Sequence, residues 1–557
     1  MKMTNNPRLK SLKILLITAP FLIAAVAVKD ELFEVSKNLE IFNSVYKELN
    51  IYYVDDTKPG ALMKTGIDAM LKSLDPYTIY YPESRVEDAM FMQTGQYGGI
   101  GTLVNTIDGK ITITDPYEGY AALKSGLMAG DVIVSIAGKS VVGKKHDDVT
   151  DLLMGQPGTE VEIGYERPGE TGTKKVKITR EEIKIPDVPF FTLLSDSTTG
   201  YIQLSGFTQT ASQEVRSAFL DLKKRQMKQL ILDLRGNGGG LLREAISIVN
   251  MFVPKGTEIV RTKGKIDEWN KIYTAIAEPL DTKIPIIVLV DRASASASEI
   301  VSGSLQDLDR AVIVGEDSYG KGLVQQTKDL AYNTKLKLTV AKYYTPSGRC
   351  IQRLDYSHRD ETTGEVKAIS DSLLKKFKTT LGREVGEGRG IAPDIEVDLG
   401  EDAHILMAMM ERNIIFHFAT QYRMQHGEIA PAQDFRIGDS DYKAFCDFVL
   451  AKNISYETNT EKLFNQLKRT AQEERYYDGS ENEFAQLFAR IEPQTKKDLD
   501  KFRQQISEVL EGEIVSRYYY QSGRTKNFLA IDPVVRRSLD VFSREYTNVL
   551  SPGYKRR

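Results

Sequence analysis

Residues 284–291 read IPIIVLVD, an unbroken apolar and β-branched run that ends on Asp291. A strand apolar on both faces belongs inside a sheet that is covered on both sides. The run gives way at once to RASASASEI, in which serines alternate with alanines, and then to a helical pattern through SGSLQDL. Ser296 and Glu299 form an S-x-x-E capping box, which predicts a helix starting there. A second apolar strand, RAVIVG, follows, then EDSYGKG and LVQQT. A serine at a strand-to-helix junction lies beside backbone N–H groups that can stabilise an anion. The stretch from Ile284 to Gln325 is therefore the place to look for a nucleophile and a base.

Serine is a poor nucleophile without an adjacent base. No histidine occurs between residues 147 and 357, which argues against a Ser-His-Asp triad drawn from this region; the available base is Lys321. Lysine accepts a proton only when neutral, so its reference pKa of ~10.4 must fall by roughly two or three units through burial. Read as a strand, Lys321, Leu323 and Gln325 share one face. Gln325 can then hold the lysine amine through its amide oxygen. Upstream, QLILDLRGNGGG reads as a buried strand running into a glycine loop, and DLRGNGGG (Asp233–Gly240) is that loop. Its N–H groups and that of Ala297 can make the two halves of an oxyanion hole. The ordinary alternatives are a helix-capping serine, a solvated lysine, a sheet-surface glutamine and a glycine turn. A nucleotide site is a further competitor. Gly315–Lys321, GEDSYGK, fits seven positions of G-x-x-x-x-G-K-[ST], but Gly322 stands where the magnesium-binding hydroxyl belongs, and LVQQT reads as strand where a helix is required.

The chain has 557 residues, room for roughly three or four domains. Its net charge of −3 lends no support to a nucleic-acid surface. Cys350 and Cys446 have no metal-type spacing, and the five histidines are scattered without an H-E-x-x-H pattern, so no metal site is expected. Arg8, Lys10 and Lys13 precede the apolar run 14–28, which is short for a membrane span of ~20 residues. Ala25-Val26-Ala27 fits a cleavage site, so residues 1–28 read as a secretory signal peptide, with an uncleaved membrane anchor as the alternative. Either one sends the rest of the chain out of the cytoplasm, to the periplasm or cell envelope.

Taken in order, residues 29–90 carry a helical apolar period through Phe33, Leu39, Phe42, Val45, Tyr46 and Leu49. Residues 91–182 change to short strands separated by glycine turns. Residues 183–400 alternate strands and helices, which predicts a sheet covered by helices. Residues 401–557 read as a helical domain in which no chemistry is evident.

The segment 91–182, with its GLMAGDVIVSIAGK, resembles a PDZ domain. On that resemblance Gly99, Ile100 and Gly101 stand where the family binds a chain-terminal carboxylate. Exposed N–H groups in a glycine nest suit such a ligand, and the following strand can pair with an extended peptide. SASASEI, GEDSYGKGLVQ, DLRGNGGGLL, GYIQLSGF, YYTPSGRCIQ and GIAPD together resemble the C-terminal processing peptidases, or tail-specific proteases, over roughly residues 30–400. The resemblance implies an α+β multidomain protein with a crotonase-like ββα peptidase core. It implies Ser296 as nucleophile, Lys321 as general base, Gln325 as its support, and Ala297 and Gly239 as oxyanion donors. The family often has N-P-G-G in the glycine loop; here Gly238 replaces the proline. The implied activity is cleavage of exported proteins near a free C-terminus captured by the PDZ-like domain, with no cofactor. A non-catalytic PDZ scaffold with a degenerate peptidase domain is the alternative. Membrane association through the N-terminal segment and homo-oligomerisation are left open.

Overall fold

The computed structural model describes residues 33–360 and 363–554. The expected signal segment, residues 1–28, lies outside them. Among the described residues no helix is long and apolar enough to cross a membrane. The chain divides into two compact units after Pro82.

The first unit contains a helix over residues 33–52 and a second over Pro59–Lys72, joined by a hydrogen bond from the Tyr46 hydroxyl to the Pro59 carbonyl at 2.8 Å. Of the expected apolar stripe, Phe33, Leu39, Phe42, Val45 and Leu49 are exposed and Tyr46 is half-buried.

The second unit opens with the helix Val86–Thr94. The strands Thr102–Ile107, Lys110–Pro116, Val132–Ile136, Glu160–Glu166 and Lys174–Thr179 follow in one antiparallel sheet in that order, with the helix His146–Leu153 beside it. Ile100, Val104, Ile113, Ile133 and Ile163 form its core. Thr102–Ile107 is an edge strand, open to pairing on one side.

The next part is built on a six-stranded sheet: β1 (Phe190–Leu193), β2 (Thr199–Gln203), β3 (Gln229–Asp233), β4 (Ile286–Val290), β5 (Val312–Gly315) and β6 (Ile395–Glu396). The strands lie in chain order, and every pair after the antiparallel β1–β2 is parallel. The connections carry α1 (Ala211–Lys224), α2 (Leu242–Asn250) and α3 (Ala297–Asp307). Right-handed crossovers that advance in one direction put their helices on a single face. Strand alternation then assigns the residues. Leu230, Leu232, Ile286, Val288, Val290 and Ile313 face a core shared with α1–α3. Ile231, Ile287, Leu289, Val312 and Val314 face the other way.

That second face is covered by the end of the chain. Val534 and Val535 of α4 (Pro533–Asp540), with Val541 and Val549 after it, pack on Tyr201, Ile231, Ile287 and Leu289. The helices between, from His404 to Leu529, keep a core of their own around Phe418, Phe445, Ile506 and Ile514. The last of them, Arg503–Leu529, is broken at Tyr520, whose φ is +54°.

Candidate active site

The buried strand β4 ends at Val290, and its chain turns sharply into α3. All of α3 is buried. Ser296 caps it with φ +55° and ψ −109°, a conformation that an L-residue holds only when its surroundings impose it. What imposes it is the alternation of serines. Ser294 and Ser298 are both fully buried, whereas Ser296 is half-buried. The Ser294 hydroxyl donates to the Leu234 carbonyl at 2.8 Å, and the Ser298 hydroxyl donates to the Asn237 carbonyl at 2.9 Å. The Ala295 N–H also donates to the Asn237 carbonyl, at 3.0 Å. The outer serines fasten the turn to the glycine loop, and the middle one is left facing outward.

Gly239 shows how close the two loops come. Its φ is +95°, and a β-carbon there would stand 2.6 Å from the Ala295 oxygen and 2.9 Å from Ser296 Cβ. No residue with a side chain fits. The Gly239 N–H donates to Asn237 Oδ1 at 2.9 Å. Ala297, the first residue of α3, carries one of the N–H groups that a helix start leaves without an intrahelical partner.

Lys321 is brought to Ser296 through its backbone. Glu299 Oε2 accepts the Ser296 N–H at 2.7 Å and the Lys321 N–H at 2.9 Å. Its Oε1 accepts the Gly320 N–H at 2.7 Å and the Ser318 hydroxyl at 2.5 Å. On the other side the Tyr343 hydroxyl lies 3.0 Å from the Ser296 carbonyl and 2.7 Å from that of Lys321. One carboxylate and one phenol thus clamp both backbones. Glu299 is fully buried, and burial pushes its carboxyl up against the hydrogen bonds that favour the carboxylate. The capping box was legible in the sequence; the second half of Glu299's role was not. Tyr343 was not anticipated at all.

One expectation needs correction. Lys321 is half-buried and precedes the strand Leu323–Asp329 instead of lying in it. That strand pairs with Lys335–Tyr344, and the register shift after Val324 passes over Val340 of the partner strand. Gln325 donates to Thr339 Oγ1 at 3.3 Å. The strand after Gly322 removes the helix that a nucleotide loop requires.

At the other expected site, the Ile100 carbonyl accepts the Ala122 N–H and the Gly101 carbonyl accepts the Tyr117 N–H. Gly101 has φ +77°, and a β-carbon on it would meet Tyr120 Cβ at 2.3 Å. His146, on the neighbouring helix, holds the Val104 carbonyl of the edge strand through Nε2 at 2.9 Å.

Ser294→Ala and Ser298→Ala are each expected to lower the unfolding free energy by about 0.5–1.5 kcal/mol, the net worth of one hydrogen bond, because the Leu234 and Asn237 carbonyls each keep a backbone donor, while cleavage stays measurable. Denaturant titration beside a cleavage assay checks this.

A turn that presents one serine between a glycine loop and a lysine suits enzymes that attack a carbonyl through serine. Known proteins agree. Residues 198–357 match peptidase family S41, residues 112–167 match the PDZ domain, and residues 405–542 match "Probable PDZ-protease, C-terminal helical domain". The carboxy-terminal-processing protease of Bartonella bacilliformis is 35% identical over 403 residues, covering 71% of this chain and 90% of that protein. A "Probable CtpA-like serine protease" of Staphylococcus aureus is 36% identical over 317 residues, 56% of this chain and 62% of the relative. Among solved structures, the photosystem II D1 C-terminal processing protease is 28% identical, covering 64% of this chain and 92% of its own, at a TM-score of 0.35. The chain belongs to the carboxy-terminal-processing proteases of peptidase family S41. It is a serine peptidase.

Proposed function

We propose that the protein is an exported endopeptidase that cuts polypeptides near a free C-terminus, with Ser296 and Lys321 as its catalytic pair on a crotonase-like core. The observation that carries this reading is the shared clamp: Glu299 Oε2 accepts both N–H groups, and the Tyr343 hydroxyl reaches both carbonyls. Ser296 Oγ bonds to the substrate carbonyl carbon while its proton passes to the neutral Lys321 amine. The tetrahedral oxyanion is met by the N–H of Ala297 and that of Gly239, which serves by releasing Asn237 Oδ1. The C–N bond then breaks, Lys321 returns the proton to the leaving amine, and water cleaves the acyl ester. Gln325 steadies the lysine. A substrate laid across the site removes the remaining water from the half-buried amine, which favours its neutral form. No metal or cofactor takes part.

Gly99, Ile100 and Gly101 capture the terminal carboxylate of the substrate, and the edge strand Thr102–Ile107 pairs with its last residues. Strand addition must take the Val104 carbonyl from His146. Charge-assisted N–H bonds to the carboxylate are each worth roughly 1.5–3 kcal/mol. Amidating the C-terminus of a peptide substrate is therefore expected to raise KM, or to lower kcat where docking also switches the site on. Equal kcat/KM for amide and free acid would remove this loop from recognition. Residues 1–28 act as the export signal, and N-terminal sequencing of protein from its native host tests their removal.

A further inference from the structure

The glycine loop has a second anchor, reached from the far end of the chain. Arg235 lies in that loop, between Leu234, whose carbonyl holds Ser294, and Gly236, whose N–H lies 3.0 Å from each oxygen of Asp291. Its guanidinium is gripped by two carboxylates. Nε lies 3.0 and 3.1 Å from the two oxygens of Asp233, at the end of β3, and Nη2 lies 2.6 Å from Asp233 Oδ2. Nη2 also reaches Asp532 Oδ2 at 2.6 Å, and Nη1 reaches Asp532 Oδ1 at 3.3 Å. Asp532 is fully buried and caps α4, accepting the N–H groups of Val534 and Val535 at 2.8 and 3.2 Å. The Tyr201 hydroxyl adds a bond to Asp233 Oδ2 at 2.6 Å. Burial disfavours the charge on Arg235, but Asp233 and Asp532 outweigh it and keep the guanidinium cationic.

A bidentate guanidinium between fixed carboxylates is a directional link. It joins the helix that closes the second face of the sheet to the loop that abuts Ser296. We infer that Asp532 is a positioning residue of the peptidase site: through Arg235 it sets the glycine loop at the spacing from Ser296 that the oxyanion hole requires. The inference rests on the reading of that loop as half of the oxyanion hole. It gives the C-terminal segment a part in turnover that its sequence did not suggest.

The test follows acylation, since the oxyanion hole acts there. Second-order labelling by a fluorophosphonate probe, and kcat and KM on a peptide substrate, are measured for the wild type, Ser296→Ala, Asp532→Asn, Arg235→Lys and Val535→Ala. Asp532→Asn keeps an oxygen for the helix cap and loses the charge. Val535→Ala weakens the packing of α4 without touching Arg235. All are assayed well below their own Tm.

For Asp532→Asn, kcat and the labelling rate are expected to fall roughly tenfold to a hundredfold with KM within about twofold, as for a small misplacement of catalytic groups. Val535→Ala should lose Tm and keep kcat. Combining Asp532→Asn with Arg235→Lys should cost no more than the worse of the two, because both break one link. If Asp532→Asn fails to fold, Arg235→Lys carries the same expectation, since an ammonium cannot span both carboxylates. A folded Asp532→Asn enzyme with kcat within twofold of wild type overturns the proposal, as does a loss no larger than that of Val535→Ala. Failure of the peptidase reading looks different: the wild type is then not labelled, or Ser296→Ala is labelled equally.

Discussion

Ser296→Ala is expected to abolish cleavage, with a fall in kcat of up to roughly a million-fold, as when the nucleophile is removed from other serine peptidases. The fold should be unchanged. Alanine keeps the β-carbon and the backbone at φ +55°, and the N–H bond to Glu299 and the carbonyl bond to Tyr343 do not involve the hydroxyl. The neighbouring serines supply the internal control. Ser294 and Ser298 spend their hydroxyls on Leu234 and Asn237 and are fully buried, so neither can reach a substrate. Cleavage and Tm measured together for the three alanine variants decide the matter. Full activity in Ser296→Ala, with loss in Ser298→Ala, would falsify the assignment.

Lys321→Arg is expected to be as inactive as Lys321→Ala. A lysine at its reference pKa of ~10.4 is less than about 0.1% neutral at pH 7, so a working site must favour the free amine. Arginine keeps the charge and the length but does not deprotonate, and a general base that cannot shed its proton cannot take one from serine. The backbone clamp survives either substitution, because Glu299 and Tyr343 hold the N–H and the carbonyl of residue 321 and not its side chain. Loss of activity therefore reports on the amine. The wild-type kcat/KM should rise with pH along a limb that the arginine variant lacks. Gln325→Ala should cost less than either, since the glutamine transfers no proton. An arginine variant with most of the wild-type rate would show that lysine is not the base.

What could be read from the sequence was what depends on near neighbours. β3, β4 and β5 announced themselves as apolar runs, and α3 as a capping box, because the residues that decide them lie within a turn or a strand of one another. The site was legible as a set of residue types at recognisable spacings. The way it is assembled was not. Ser294 and Ser298 meet their acceptors about sixty positions back along the chain. Glu299 reaches forward across β5 to Ser318, Gly320 and Lys321. The valines of α4 have the spacing of any amphipathic helix, so the sequence of that helix does not say which surface it covers.

The strand order has a consequence for how the protein is made. Synthesis delivers β1 through β6 first, each laid beside the last, with α1–α3 filling one side as they appear. The opposite side stays bare until residues 533–550, the last part of the described chain, leave the ribosome. Until then Ile231, Ile287, Leu289 and Val314 lack the valines that later pack on them, and the loop bearing Arg235 has only one of its two carboxylates. A nascent chain is therefore a peptidase with its central sheet half dressed. It gains that cover only once residues 533–550 have been made.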